Sequence, residues 1–226
     1  MSGPRYALYY APAADEPLFA LGREWLGRDV VTGESLAIPD DRRQATVSAR
    51  HYGFHATLKP PMALAGGRSE AGLLAAAAEF AASNAPAPAA PLVLADLDGF
   101  LALVPAWPSA PVQRLCDAVV RGFEPFRAPP EEADIARRRK AGLSARQEQL
   151  LARWGYPYLF DEFRLHLTLS DRLTADQRAS LRPQLEARVA ALPAGRFLLD
   201  AIAVFRQEER AAPFMQIARF ALTGRE

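Results

Sequence analysis

The sequence is short of several things that would narrow its class. It has one cysteine, Cys116, so no internal disulfide can form, which suits a reducing compartment. It has no excess of either charge: 27 Lys and Arg face 26 Asp and Glu in 226 residues. The electrostatic footprint of a protein that tracks long DNA or RNA is therefore missing. It has no long apolar run. The most apolar stretch, "LLAAAAEFAA" at 73–82, is short and carries Glu79, so no membrane span is expected. The opening "MSGPRYALYY" lacks the charged and apolar regions of a secretory signal. A soluble cytoplasmic protein is the expectation. Histidine is scarce too, with three in the chain.

Half of the residues are hydrophobic, enough to bury one large domain or two intimate lobes. Aromatic and alternating runs predict strands at 5–11, within "FHATLK", on both sides of Asp98–Gly99, within "FRLHLTLS", and in two closing segments. Helices are expected after Glu16, from Ser69, from Ser109, as a pair over 131–154, and from Thr174. Residues 30–50 read as a long surface loop and 84–91 as an extended linker. This order gives an α+β fold with mostly antiparallel pairing.

Two of the three histidines share a local pattern. "YGFHATLKPP" places His55 two residues before Thr57; "FRLHLTLSDR" places His166 two residues before Thr168. Along a strand, residues i and i+2 share a face. Phe54, Ala56 and Leu58 then face a core, as do Leu165, Leu167 and Leu169, while the His-x-Thr pairs face the other way. If the two polar faces line one groove, two imidazoles and two hydroxyls converge. One imidazole can take a proton while the other gives one, and the hydroxyls can hold non-bridging phosphate oxygens. Lys59 and Arg164 lie on the same polar faces and are candidates to supply positive charge to a substrate. Tyr9 shares a face with Arg5 and Ala7 and joins the substrate-binding candidates, although packing is the commoner use of an aromatic ring. His51, four before His55, would suit a metal only on a helix, and Gly53 argues for a strand entry. Arg137–Lys140 could touch a phosphate-rich ligand, but a charge run on a helix preceded by acidic residues reads rather as a solvated face, and Cys116 reads as a small core residue.

These two strands resemble the signatures of the two-histidine (2H) phosphoesterase superfamily. "RYALYYAP", "WLGRD" at 25–29 and "WGYPY" at 154–158 make the chain similar to a bacterial branch associated with phosphonate-metabolism genes. The resemblance implies a bilobal duplicated fold over residues 1–226, with antiparallel sheets lining a central cleft and helices outside. It implies a helical insertion at 131–154. It also implies His55 and His166 as the catalytic pair, Thr57 and Thr168 as phosphate binders, and no metal or cofactor. The expected activity is metal-independent hydrolysis of a small cyclic phosphate. Two alternatives stand beside it: cleavage or joining of RNA 2′,3′-cyclic ends, and non-catalytic binding of phosphorylated metabolites. The expected partner is a small phosphorylated substrate or an RNA end, with no DNA and no membrane; the sequence does not specify oligomeric state.

Overall fold

A computed structural model describes residues 3–140 and 142–225. The chain runs β1 (Arg5–Tyr10), α1 (Pro17–Leu26), α2 (Asp40–Ala45), α3 (Val47–Tyr52), β2 (Ala56–Ala63), α4 (Glu70–Ser83), β3 (Ala87–Pro88), β4 (Leu92–Leu97) and β5 (Phe100–Pro105). It continues with α5 (Ala110–Gly122), α6 (Glu132–Arg139), α7 (Ala145–Trp154), β6 (Leu167–Thr168), α8 (Ala175–Ala190), β7 (Leu198–Leu199), β8 (Ala201–Gln207) and β9 (Met215–Ala221). Among the described residues no helix is long and apolar enough to cross a membrane.

Seven strands form one antiparallel sheet in the order β4-β5-β6-β2-β1-β8-β9, and β3 pairs with β7 in a separate two-stranded ladder. The expected fold class, α+β with antiparallel pairing, is what the chain adopts. Seven of the nine strands among the described residues lie in one continuous sheet.

Alternation along the strands decides what each face of the sheet meets. From β1, Tyr6, Leu8 and Tyr10 join the main core, together with Ala56, Leu167, Ile202 and Val204. Helices cover that face with Trp25 and Leu26 of α1, Leu73 and Ala77 of α4, Val119 of α5 and Leu185 of α8. Ala7 and Tyr9 point the other way, into a smaller cluster with Phe205 and Phe214. Only part of this second face is covered, and the cleft lies there.

Local signals explain most helix starts. Ser69 and Ser109 accept from the backbone amides of Gly72 and Val112, and Ser144–Gln147 and Thr174–Gln177 close complete capping boxes. The Asp98–Gly99 turn has positive φ at both residues, 51° and 101°, as a tight hairpin requires. Pro183 lies inside α8, which stays continuous around it.

Three expectations need correction. Residues 30–50 are not a surface loop: they contain α2 and the start of α3, and Arg42, Ala45, Thr46 and Ala49 are buried. Helices of six residues are too short to give a periodic signal, and these are fixed from outside. Arg42 stacks over Trp25 at 4.2 Å, and the Asp171 carboxylate accepts from Ser48 N and Ala49 N at 2.9 Å each. Residues 84–91 are not merely a linker, since Ala87–Pro88 pair with Leu198–Leu199. Finally, the second motif strand is only two residues long, because Leu169 N and Ser170 N both donate to Leu101 O and end the regular ladder.

Candidate functional site

β2 and β6 are neighbours in the middle of the sheet, and their register is set by one pair, Ala56 opposite Leu167. Both side chains are fully buried in the main core. The residues flanking them must therefore face the cleft. Antiparallel pairing about this point sets His55 beside Thr168 and Thr57 beside His166. The two His-x-Thr motifs meet head to tail about their middle residues, and their four polar side chains lie on one face of the sheet, across two adjoining cavities. A cavity of about 460 Å³ is lined by His55, Thr57 and Thr168. An adjoining one of about 360 Å³ is lined by His166 and Thr57. Thr57, Phe100, Tyr156 and Arg172 border both.

The same device orients both imidazoles. His55 Nδ1 lies 2.9 Å from Gly53 O, and His166 Nδ1 lies 2.8 Å from Arg164 O, in each case the carbonyl two residues earlier. A carbonyl only accepts, so Nδ1 carries the proton and the neutral ring keeps a lone pair on Nε2. His55 Nε2 lies 3.1 Å from Thr57 Oγ1, whose hydroxyl donates to it. Burial pushes the His55 pKa down to about 4; the bond to Gly53 opposes this and the nearby His166 adds to it. His166 is also lowered by burial, partly offset by its bond to Arg164 O. Both rings are neutral at pH 7.

Tyr9 belongs to this arrangement as a floor. Its ring is buried and stacks against His55, with centroids 3.7 Å apart and planes inclined by 19°. Gly53 holds the other side: φ is 80° with extended ψ, and an added Cβ would lie 2.1 Å from Val30 Cγ1. Gly53→Ala is expected to destabilise the fold by about 2 kcal/mol, since such a backbone strains any residue with a Cβ. It should also loosen the His55 ring by displacing the carbonyl that fixes Nδ1. Urea denaturation and the His55 imidazole resonances of this variant check both effects.

Arg164 borders the His166 cavity with an exposed side chain. Lys59 does not reach the cleft. Successive register shifts interrupt β1–β2 pairing, so that Tyr9 opposes Thr57 but Leu8 opposes Lys59. Cross-strand partners share a face, and Leu8 faces the main core. The irregularity thus turns Lys59 to the helical side, where its ammonium donates to Val120 O at 3.0 Å and to Glu124 at 2.8 Å. Burial lowers its pKa, partly offset by Glu124. Pro60 and Pro61 fall in the second irregularity, where a missing N–H is tolerated, so β2 continues past them to Ala63. Lys59→Met is expected to lower stability by about 1–2 kcal/mol, moderated because Arg127 still pairs with Glu124. It should leave ligand affinity in the cleft unchanged; chemical denaturation and calorimetric titration of one preparation would separate the two.

Of the other cleft residues, the sequence offers only the run 137–140 as a phosphate contact, and its pattern favours a solvated face. Arg138 and Arg172 line the cavity with Tyr52 and Tyr156. Arg138 sits in a charge run whose pattern gave no reason to separate it from its neighbours. His51 is engaged elsewhere, its Nε2 lying 2.9 Å from Gln207 Nε2. Among the described residues no group of three or more His, Cys, Asp or Glu side chains is placed to hold a metal ion.

Comparison with known proteins gives a family and two informative names. A family model described as "Protein of unknown function (DUF1045)" matches residues 57–215. A protein of Janthinobacterium sp. (strain Marseille), named "Ribose 1,5-bisphosphate phosphokinase PhnN", is 39% identical over 97% of this chain and 51% of its own length. A protein of the same name from Laribacter hongkongensis (strain HLHK9) is 36% identical over 93% of this chain and 50% of its own. The chain thus spans about half the length of the curated relatives it matches. A crystal structure of a Thermus thermophilus protein aligns over 98% of this chain and all of its own at TM-score 0.46 and 17% identity, too distant to bear on fold or function. The relatives' names correct the expectation of a hydrolase acting on a cyclic phosphodiester. They denote a phosphokinase, which transfers a phosphoryl group to an acceptor rather than opening a cyclic ester with water.

Proposed function

This chain belongs to the DUF1045 family, and on that premise we propose that its cleft binds a small phosphorylated sugar, a ribose phosphate. In this reading the chain is the sugar-phosphate-binding unit of proteins like its phosphokinase-named relatives, whose length it half spans. The carrying observation is the Ala56–Leu167 register, which gathers both His-x-Thr motifs on one surface. His55 and His166 are the central pair, and Thr57 and Thr168 contribute hydroxyls to the phosphate oxygens. The PhnN name fits a role in phosphonate metabolism. The bilobal, duplicated arrangement over 1–226, with 131–154 as an insertion, belongs to the same proposal. Its support is that both motifs fix Nδ1 on the carbonyl two residues back and meet about a common centre.

The electrostatics define how an anion is received. Two neutral rings, one with a bare Nε2 and one whose Nε2 already accepts from Thr57, offer a dianion no donor, so binding must bring a proton with it. Once protonated, Nε2 becomes a charge-assisted donor to phosphate. A ring left neutral can accept a proton from a sugar hydroxyl held beside it.

The test is titration of the protein with ribose 5-phosphate, ribose and inorganic phosphate, following the imidazole Cε1–H resonances. Ribose 5-phosphate should shift both His55 and His166, and calorimetry in buffers of different ionisation enthalpy should report proton uptake at pH 6.5. Ribose alone should shift neither ring. Unmoved resonances at millimolar ribose 5-phosphate would remove the basis for this reading.

A further inference from the structure

We infer that the cleft contains a second anion subsite, formed by Arg138 of α6 with Tyr156, and that its ligand therefore carries two phosphate groups on one sugar. This rests on the ribose-phosphate reading above and goes beyond it by assigning the residue that recognises the second phosphate.

Three successive arginines end α6, and their fates differ. Arg137 pairs with Asp134 at 2.9 Å, and Arg139 pairs with Glu148 at 3.1 Å. Arg138, between them, has no carboxylate within ion-pair distance among the described residues. Successive helical residues diverge by about 100°, so pairing the two flanking side chains leaves the middle one pointing elsewhere. It points into the cleft, where Arg137 also reaches the wall but is held by Asp134. Arg138 is half-buried, lies 4.4 Å over the Tyr156 ring, and lines the same cavity as His55, Thr57 and Thr168.

The segment that presents Arg138 is anchored. α6 buries no residue of its own, yet Arg210 binds both Glu131 and Asp134 at 2.9 Å, tying its first turn to the body of the protein. A guanidinium on a cavity wall with no carboxylate beside it is available to an anionic ligand. Its planar fork matches phosphate, and stacking on Tyr156 fixes the plane of that fork. The His-x-Thr centre accounts for one phosphate. Arg138 provides a separate, permanently charged point in the same cavity, of about 460 Å³. Sugars with one phosphate should engage only one of the two points, and pentose bisphosphates both.

The experiment measures affinities for ribose 5-phosphate and ribose 1,5-bisphosphate with the wild type, Arg138→Met and Arg139→Met. The wild type should prefer the bisphosphate tenfold or more. Arg138→Met should bring that ratio near one, and Arg139→Met, which removes an equal charge one residue away, should keep it. A wild type that binds the monophosphate but shows no preference overturns the second subsite and leaves the first standing. So does an Arg139→Met that erases the preference as fully as Arg138→Met, since bulk charge would then explain it, or an Arg138→Met that retains it. A wild type that binds neither sugar overturns both readings.

Discussion

Replacing His55 and His166 together by alanine is expected to lower affinity for ribose 5-phosphate by about 100-fold or more while leaving a folded protein. In measurements at about pH 4.5, where His55 protonates at little cost, each protonated imidazole contributes a charge-assisted hydrogen bond to phosphate, of about 1.5–3 kcal/mol. That corresponds to roughly tenfold to a hundredfold per ring. The two losses should add to less than their sum, because both rings grip one anion and removal of either loosens the other. Thr57→Val and Thr168→Val should each cost less, about threefold to tenfold, because a neutral hydroxyl is the weaker donor. The variants should remain folded. His55 loses its stacking on Tyr9, but Ala56 and Leu167, which set the register, keep their places in the core. Calorimetric titration gives the affinities, and circular dichroism checks the fold. Unchanged affinity in the double variant would show that the phosphate is held elsewhere.

The sequence made the centre of this site legible because strand geometry is simple. Period-2 alternation put His55 with Thr57 and His166 with Thr168, and their common phase implied one shared surface. The helix caps were equally readable, since Ser69, Ser109, Ser144 and Thr174 act on amides three residues away. What could not be read were effects made by the partner strand. Lys59 continues the alternation on paper, but the irregular β1–β2 register places it opposite core-facing Leu8. No pattern within 52–61 announces that shift. α3 was hidden for a similar reason: its cap is Asp171, far along the chain. Arg138 needed knowledge of which arginines Asp134 and Glu148 would take. The activity was misjudged for another reason. The His-x-Thr pattern tells which groups share a face, and it does not distinguish hydrolysis of a cyclic phosphate from other uses of the same groups.

The second large effect is on stability. Wild-type protein should lose about 3 kcal/mol through His55 alone as pH falls from 7 to 4. The sign follows from linkage. His55 has a pKa of about 4 in the folded protein against 6.5 when unfolded, so between those values the unfolded chain binds a proton that the folded chain refuses. Stability is therefore undiminished above about pH 6.5. It then falls by about 1.4 kcal/mol per pH unit down to about pH 4. His51 and His166, both also lowered chiefly by burial, add losses of the same sign. His55→Gln removes the titrating ring. Its pH dependence from urea midpoints at pH 7.5 and 4.5 should be shallower than wild type by about 2–3 kcal/mol, whatever its stability at neutral pH. Sulfate, which does not titrate in this range, separates the site from general acid lability. An anion seated at the imidazoles raises their pKa, so sulfate should bind more tightly as pH falls, by up to about tenfold per unit for one coupled proton. His55→Gln should flatten that dependence as well. Equal acid sensitivity in wild type and variant would mean that the buried ring does not hold its low pKa in solution.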